Sequence, residues 1–239
     1  MLILGIEAAA KVAGAALYED GRILAEQMAN GALTHSETLM PMIDAVFKAA
    51  GREPEELDYI ALTSGPGSFT GLRIGAATAK GLALGLGIPV IPLSTLEVLA
   101  YGASGGMSCV PMMDARRGQV YSALYAGEQV LMEPQAISIQ ELAEKLRAWG
   151  QPCMCMGDAA DLYREQLSAL LGAQYHIAPP HLKDLRAAAA AALAAEKLAK
   201  GLVKGICGSE LTIEYLRKPQ AEREREARLS AEALSQAER

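Results

Sequence analysis

Tyr59-Ile60-Ala61-Leu62-Thr63-Ser64-Gly65-Pro66-Gly67-Ser68-Phe69-Thr70-Gly71-Leu72-Arg73-Ile74-Gly75-Ala76-Ala77-Thr78-Ala79-Lys80-Gly81-Leu82-Ala83-Leu84-Gly85 reads as a strand, a tight turn and a helix. A short apolar run leads into a Gly/Pro/Ser loop, and good helix formers follow. Gly65, Gly67 and Gly71 permit positive φ and close backbone approach, and the unpaired N–H groups at the start of the helix could hold an anion. The loop departs from the Walker pattern, because Thr70 and Leu72 stand where a second glycine would follow Gly65 and Gly67. It departs from the dinucleotide pattern too, which needs its third glycine at Thr70. A structural turn and a phosphate cradle both remain open.

The helix after the turn has almost no solvated face. Arg73 and Lys80 mark one side, which otherwise carries Ala76, Ala77, Ala83 and Leu84; Gly75, Thr78, Ala79, Leu82 and Leu86 lie opposite. A helix apolar all round is covered all round, by its own domain or by a partner. The glycine-bearing side is the better fit to a sheet, since small residues allow close packing. That leaves Arg73, Ala76, Ala77, Lys80, Ala83 and Leu84 as the expected outward, partner-facing set. Upstream, Thr34-His35-Ser36-Glu37 has capping-box spacing and opens a helix to about Ala50, with Pro41 expected to kink it or shift its start. Leu39, Met42, Ile43, Val46 and Ala50 form its core stripe, while Met40 and Phe47 widen the apolar arc and enlarge the expected interface. A second copy of the chain, or a partner that excludes that copy, would cover this pair of helices. Folding of the second domain back over the same face is the alternative.

Composition bounds the rest. The 239 residues are 51% hydrophobic but only 5% aromatic, so the core is built from Ala, Leu, Val, Ile and Met. A net charge of −6 argues against independent binding to a nucleic-acid backbone. The N-terminus lacks a basic flank and meets Glu7 early, unlike a signal peptide, and the longest uncharged runs are too short and too broken for a membrane span. The expected location is the cytoplasm. Cys109, Cys153, Cys155 and Cys207 have no zinc spacing and read as reduced core thiols, and His35, His176 and His181 show no ligand spacing, so no metal site is expected. His35, in a first helical turn, reads as local structure rather than a catalytic base.

In chain order, strands are expected at Leu2–Ile6, Val12–Tyr18 and Ile23–Met28, before the first helix and the central unit. Ile88–Pro92 reads as a strand, and Ser94 with Glu97 as a capped helix start. Gly102–Gly106 reads as a domain boundary, dividing residues 1–104 from 105–217. The opening then repeats: Ile6-Glu7 to Ala16-Leu17-Tyr18 matches Met113-Asp114 to Ala123-Leu124-Tyr125 at a constant offset, which suggests internal duplication. Strand Val130–Ile137, helix Ser138–Trp149, strand Cys153–Met156, helix Ala159–Leu171, strand Tyr175–Ala178, helix Leu182–Lys200 and the segment Thr212–Leu216 complete the second half. Residues 218–239 form a charged tail.

An order of three antiparallel strands, helix, strand, helix, strand, helix, given twice, is similar to the α/β fold of the actin-like ATPase and ribonuclease-H-like superfamily, with two duplicated domains of mixed sheet flanked by helices. The chain also resembles the TsaB (YeaZ) family. The resemblance rests on Ser64 to Gly75, on His35-Ser36-Glu37, on Asp114-Ala115-Arg116 with Gly118, Val120 and Tyr121, and on Tyr215-Leu216-Arg217. It implies a non-catalytic scaffold or dimerisation subunit of the bacterial machinery that places threonylcarbamoyl on adenosine 37 of tRNAs reading A-starting codons. The implied partners are the catalytic subunit TsaD and the ATPase TsaE, with TsaC supplying threonylcarbamoyl-adenylate. The implied assembly is a homodimer when the chain is alone, tRNA is met only through the complex, and no cofactor belongs to the isolated subunit because ATP acts through the partners.

The family usually carries Asp-Thr-Ser after the first strand, and here Glu7-Ala8-Ala9-Ala10 stands instead. The alanines offer only backbone N–H groups to a phosphate, and Arg116 and Arg117 replace glycines beside Asp114 in the second half. Gly65, Gly67, Gly71, Glu7 and Asp114 are therefore the candidate phosphate loop, and no residue is expected to be catalytic. The rival reading is an enzyme of the same superfamily, a small-molecule kinase or a glycoprotease-like metallopeptidase.

The tail has five acids and five bases from Lys218 onward and only Leu229 and Leu234 as large apolar residues. Deleting Lys218 to Arg239 is expected to leave the melting temperature within scatter, because a segment without buried area contributes little to stability. A fall of several degrees in a calorimetric scan would show that it docks.

Overall fold

In the computed structural model, residues 1–31, 34–102 and 106–216 are described. The tail from Arg217 and the centre of the expected Gly102–Gly106 boundary lie outside them. Strands β1 (Leu2–Glu7), β2 (Ala13–Glu19) and β3 (Arg22–Ala29) lead to helix α1 (His35–Ala50), then β4 (Tyr59–Gly65), α2 (Phe69–Leu86), β5 (Val90–Ser94) and α3 (Thr95–Tyr101). The second half runs β6 (Ser108–Arg116), β7 (Gln119–Ala126), β8 (Gln129–Ser138), α4 (Ile139–Trp149), β9 (Cys153–Met156), α5 (Asp158–Leu162), α6 (Arg164–Leu171), β10 (Tyr175–Ile177), α7 (Pro180–Lys183) and α8 (Ala187–Ala199).

The two halves make two mixed sheets of identical order, β3-β2-β1-β4-β5 and β8-β7-β6-β9-β10. In each, a three-stranded antiparallel meander continues into two parallel strands. Alternation along the strands sorts the core into layers. Leu2, Leu4, Ile6, Ile60 and Leu62 face α1 and α2 on the outside of the first sheet. Val110, Met112, Leu124, Cys153 and Cys155 face α4, α5 and α6 on the outside of the second. Between the sheets, α3 and α8 bury Leu96, Leu99, Ala190 and Ala194 against Ile3, Ile91, Cys109 and Tyr125. The result is a five-layer stack, and α8, which follows the second half in the chain, rests largely on β1, β2 and β4 of the first sheet.

The duplication is real in topology, but its register differs from the constant offset read in the sequence. Glu7 pairs with Gly14 in the first sheet, and the equivalent step of the second pairs Met113 with Tyr121. Paired residues share a sheet face. Met113 is thus the counterpart of Glu7, and Asp114 lies one residue further on, where the first half has Ala8. A one-residue shift moves a side chain to the other face, so the two acids are not structural equivalents.

Local signals account for most boundaries. Glu37 Oε2 accepts from the Thr34 N–H at 2.9 Å and the Thr34 hydroxyl at 2.6 Å, fixing the start of α1, which runs through Pro41 without a shifted start. Gly51 closes it in the left-handed conformation. Ser68 and Ser138 cap α2 and α4 by accepting from Gly71 and Glu141 N–H groups. Ser94 makes no cap bond, and Glu97 instead pairs with Lys197 of α8 at 2.5 Å. Two expected helices are broken. The one from Ala159 divides at Tyr163, whose φ of −109° is not helical. The one from Leu182 divides because Asp184 and Arg186 are extended and α8 is capped from another strand: Glu26 of β3 accepts from the Ala188 N–H at 3.0 Å and pairs with Arg186. Thr212–Leu216 has no regular structure.

The inter-sheet helix can lie where it does because β1 carries Gly5. A Cβ at Gly5 would stand 2.2 Å from the Ala187 carbonyl oxygen and 3.1 Å from Ala191 Cβ. Gly5→Ala is therefore expected to destabilise the protein by about 3 kcal/mol, the upper part of the overpacking range, since backbone rather than a flexible side chain must yield. Gly81→Ala, in open space on α2, should be neutral or stabilising by up to about 1 kcal/mol. Urea midpoints at unchanged slope would report both effects.

Candidate functional site

The strand ends, the turn after β1, the glycine loop and the β6–β7 hairpin converge on a cleft with a volume of about 560 Å³. Its walls include Lys11, His35, Ser68, Thr70, Asp114 and Asp158. Four of the five candidate phosphate-loop residues, Glu7, Gly67, Gly71 and Asp114, gather near it.

Contacts between the turn and the loop are made by backbone. The Ser68 N–H donates to the Ala9 carbonyl at 2.7 Å. A Cβ at Gly67 would stand 2.4 Å from that oxygen, and one at Gly71 would stand 2.0 Å from the Ala8 carbonyl oxygen. These two glycines are required because the turn lies directly on the loop. Gly65 serves a different segment and packs on Glu214. His35 completes the lock, with Nε2 at 2.8 Å from the Ala10 carbonyl oxygen and therefore donating. That bond ties the start of α1 to the turn.

Glu7 is wholly buried beneath the turn. Its Oε1 accepts from the Ala9 N–H at 2.6 Å and Oε2 from the Thr63 hydroxyl at 2.8 Å. The N–H groups of Ala8 and Ala10 also favour its charged form. Desolvation outweighs these donors and raises its pKa to about 7. The alanine turn thus directs its N–H groups at the chain's own carboxylate. Thr63 is a partner that sequence reading missed, since a threonine inside an apolar strand carries no signal of its own.

Asp114 serves its own hairpin. Oδ1 accepts from the Arg116 N–H at 2.8 Å, and Oδ2 lies 3.3 Å from the Arg116 guanidinium. The Asp114 N–H donates to Asp158 at 3.1 Å, and burial raises the Asp158 carboxyl above its ordinary value. Arg116 and Arg117 both adopt positive φ. No group of three or more His, Cys, Asp or Glu among the described residues could hold a metal ion. Cys109, Cys153 and Cys155 are buried; Cys207, expected in the core, is exposed and accepts from the Ser209 hydroxyl.

A second feature lies on the outer face of the first sheet. The helices α1 and α2 leave between them a groove of about 460 Å³, lined by Met40, Phe47, Leu57, Leu82 and Leu86 and edged by Asp44 and Lys48. Of the residues expected to face outward, Arg73, Ala77, Leu84 and Met40 are exposed, Leu84 by 59% and Met40 by 48%. Lys80 is half-buried. Ala76, Ala83 and Phe47 are corrections: all three are buried. Ala76 and Phe47 join the core under the two helices, with Phe47 forming the groove floor. Ala83 is covered by the turn Gly208–Glu210, where a Cβ on Gly208 would lie 3.2 Å from Ala83 Cβ. The second half thus folds back over part of this face, as the alternative reading held, and leaves the rest open. Phe69 and Tyr215 flank the open part, 5.6 Å apart between ring centroids. No helix among the described residues is long and apolar enough to cross a membrane.

Comparison with known proteins agrees with this architecture. The family model described as TsaD, tRNA N6-adenosine threonylcarbamoyltransferase, matches residues 22–224. The tRNA threonylcarbamoyladenosine biosynthesis protein TsaB of Bacillus subtilis is 32% identical over 227 residues, covering 93% of this chain and 96% of that protein. Among solved structures, an uncharacterized Pseudomonas aeruginosa protein with similarity to peptidase YEAZ superposes with a TM-score of 0.77 at 25% identity, covering 90% of this chain and 99% of that one. Component A of the Acidaminococcus fermentans (R)-2-hydroxyglutaryl-CoA dehydratase shares the fold, with a TM-score of 0.51 at 15% identity over 83% of this chain and 99% of that one. The fold is that of the actin-like ATPase and ribonuclease-H-like superfamily.

The raised pKa of Glu7 sets a pH dependence. Between about pH 4.5 and 7 the folded state keeps a proton that the unfolded state has lost, so stability falls as pH rises through that window and the full penalty is present above it. At about 1.4 kcal/mol per pKa unit the loss is about 3 kcal/mol. Glu7→Gln, which mimics the neutral acid, is expected to flatten this part of the stability curve measured by urea unfolding from pH 5 to 8. An unchanged slope would contradict the assignment to Glu7.

Proposed function

The chain belongs to the TsaB family and takes part in tRNA threonylcarbamoyladenosine biosynthesis, and we propose that it does so as a non-catalytic subunit that holds a related catalytic subunit. The observation that carries this reading is the filled turn after β1. A phosphate-binding turn needs free N–H groups and empty space in front of them. Here the N–H of Ala9 is spent on Glu7, and the carbonyls of Ala8 and Ala9 rest against Gly71 and Gly67. A phosphate would have to enter beside a buried carboxylate that is itself costly to ionise. The chain accordingly contributes no nucleotide chemistry of its own, and ATP acts in the complex through the partner proteins.

The exposed face of α2 with the α1–α2 groove is what remains to do work. Met40, Phe47, Leu82 and Leu86 make an apolar groove that also carries Asp44, Lys48, Arg52 and Glu53, and Ala77 and Leu84 add exposed apolar surface elsewhere on α2, the mixture of apolar and polar groups found at interfaces. The partner in this reading is TsaD, which carries out transfer to adenosine 37 of tRNAs reading A-starting codons. TsaE joins as the ATPase, TsaC supplies threonylcarbamoyl-adenylate, and tRNA is met through the assembly. The same face closes a homodimer when the chain is alone, so the two associations exclude one another. The setting is the cytoplasm.

The test is Ala77→Arg combined with Leu84→Glu, two exposed positions at which a monomer tolerates charge within about 0.5 kcal/mol. The double variant is expected to keep its melting temperature, to elute as a monomer and to lose capture of TsaD by at least about a hundredfold, the scale of a disrupted interface centre. A folded variant that still binds at wild-type affinity places the interface elsewhere.

A further inference from the structure

Arg73 is held as a solvated surface arginine is not. Its guanidinium carbon lies 3.8 Å from the centre of the Phe69 ring, and Nε donates to the Tyr215 hydroxyl at 3.3 Å. Phe69 and Tyr215 are themselves in tilted contact at 34° between ring planes, although both are well exposed, at 40% and 37%. The segment that delivers Tyr215 comes from the far end of the chain and is fastened along its course. Ile206 exchanges two 2.8 Å backbone bonds with Val90, Leu211 is buried, and the Glu214 N–H donates to the Ser64 carbonyl at 2.8 Å. A strap of otherwise irregular chain thus crosses the flank of α2 and ends by fixing one cation.

Holding an arginine still costs rotamer entropy, and a side chain already held in place does not lose it again on binding. The stack and the Nε bond leave the two terminal amino groups of Arg73 without a hydrogen bond or ion pair among the described residues. That is the half of the guanidinium fork that takes a planar carboxylate. Arginine and tyrosine are also the residues that dominate interface energetics.

We propose that Arg73, locked by Tyr215 and Phe69, is an anchor of the partner interface that binds an aspartate or glutamate carboxylate on the partner's surface. The inference rests on reading the α2 face as the docking surface and assigns the chemistry of one end of it. A protein carboxylate fits better than an RNA phosphate. The exposed residues of α2 beyond Arg73 are Ala77, Gly81, Leu84 and Gly85, none of them a cation, Lys80 on the same side is half-buried, and the chain carries −6 overall, whereas RNA binding depends on several clustered exposed cations. One fixed cation at the edge of an apolar strip is the pattern of a protein interface rim.

The experiment titrates the full chain against the threonylcarbamoyltransferase subunit of the same organism. Arg73→Lys keeps the charge but loses the fork and the stack, and is expected to weaken binding about tenfold, as is Arg73→Ala. Tyr215→Phe keeps the ring and frees Nε, with an expected loss of about threefold. Melting temperatures of all three variants should match wild type, since both positions are exposed. Binding of both Arg73 variants within twofold of wild type overturns the proposal. So does a loss confined to tRNA binding by the assembled complex, which would assign Arg73 to phosphate. The Ala77→Arg/Leu84→Glu variant separates the two levels. If it alone weakens binding, the docking face stands and the anchor falls; if neither does, the docking face falls as well.

Discussion

The contact between β1 and α8 sets the architecture. A helix can lie between two sheets only if the sheets admit its backbone, and Gly5 removes the side chain that would strike the Ala187 carbonyl. The helix is correspondingly poor in bulk, with Ala187, Ala188, Ala190, Ala191, Ala194 and Ala195 buried. Small residues on both partners bring the sheets close enough to share one core, in which Ile3 and Ile91 of the first sheet meet the same helices as Cys109 and Tyr125 of the second. Glu26 then fixes the helix along its axis by capping Ala188. The cleft lies where the turn after β1, the glycine loop and the β6–β7 hairpin meet, at the ends of the two sheets that this contact holds together.

Within the cleft, the same economy of side chains closes a site instead of opening one. Alanines after β1 allow the turn to collapse onto Gly67 and Gly71, and the N–H groups exposed by such a turn are taken by Glu7. The energetic result is a buried acid whose charged form is held by the Thr63 hydroxyl and backbone donors yet still disfavoured by burial. An arrangement with that much invested in internal satisfaction has little left for a ligand, which supports the reading of a subunit that works by its surface.

That surface is shaped by the end of the described chain. The strap after α8 pairs with β5, covers Ala83 and stops beside Phe69 and Arg73. It converts a helix apolar all round into one with a covered flank and an open strip, and it determines which apolar residues stay available to a partner.

Much of this was legible in the residues themselves. Alternation and helical spacing marked the strands and most helices; Thr34 with Glu37 and Ser138 marked helix starts; and the repeated element order implied two equivalent sheets. These signals are local, carried by neighbours in the chain, and they also place the turn, the glycine loop and α2. What lay beyond them depended on contacts between distant segments. The break at Tyr163 and the late start of α8 at Ala187 come from packing and from a cap on β3. The one-residue difference between Glu7 and Asp114 shows only when each strand is paired with its neighbour, because a constant spacing in the sequence says nothing of which face a side chain takes. The partner of Glu7 is a threonine 56 residues away. The burial of Ala83 and the locking of Arg73 come from a strap more than a hundred residues downstream of α2. The sequence by itself determined the elements and their order, since these follow from backbone preference and apolar period; the tertiary structure decided which faces meet, because burial is a property of pairs of segments and not of either one.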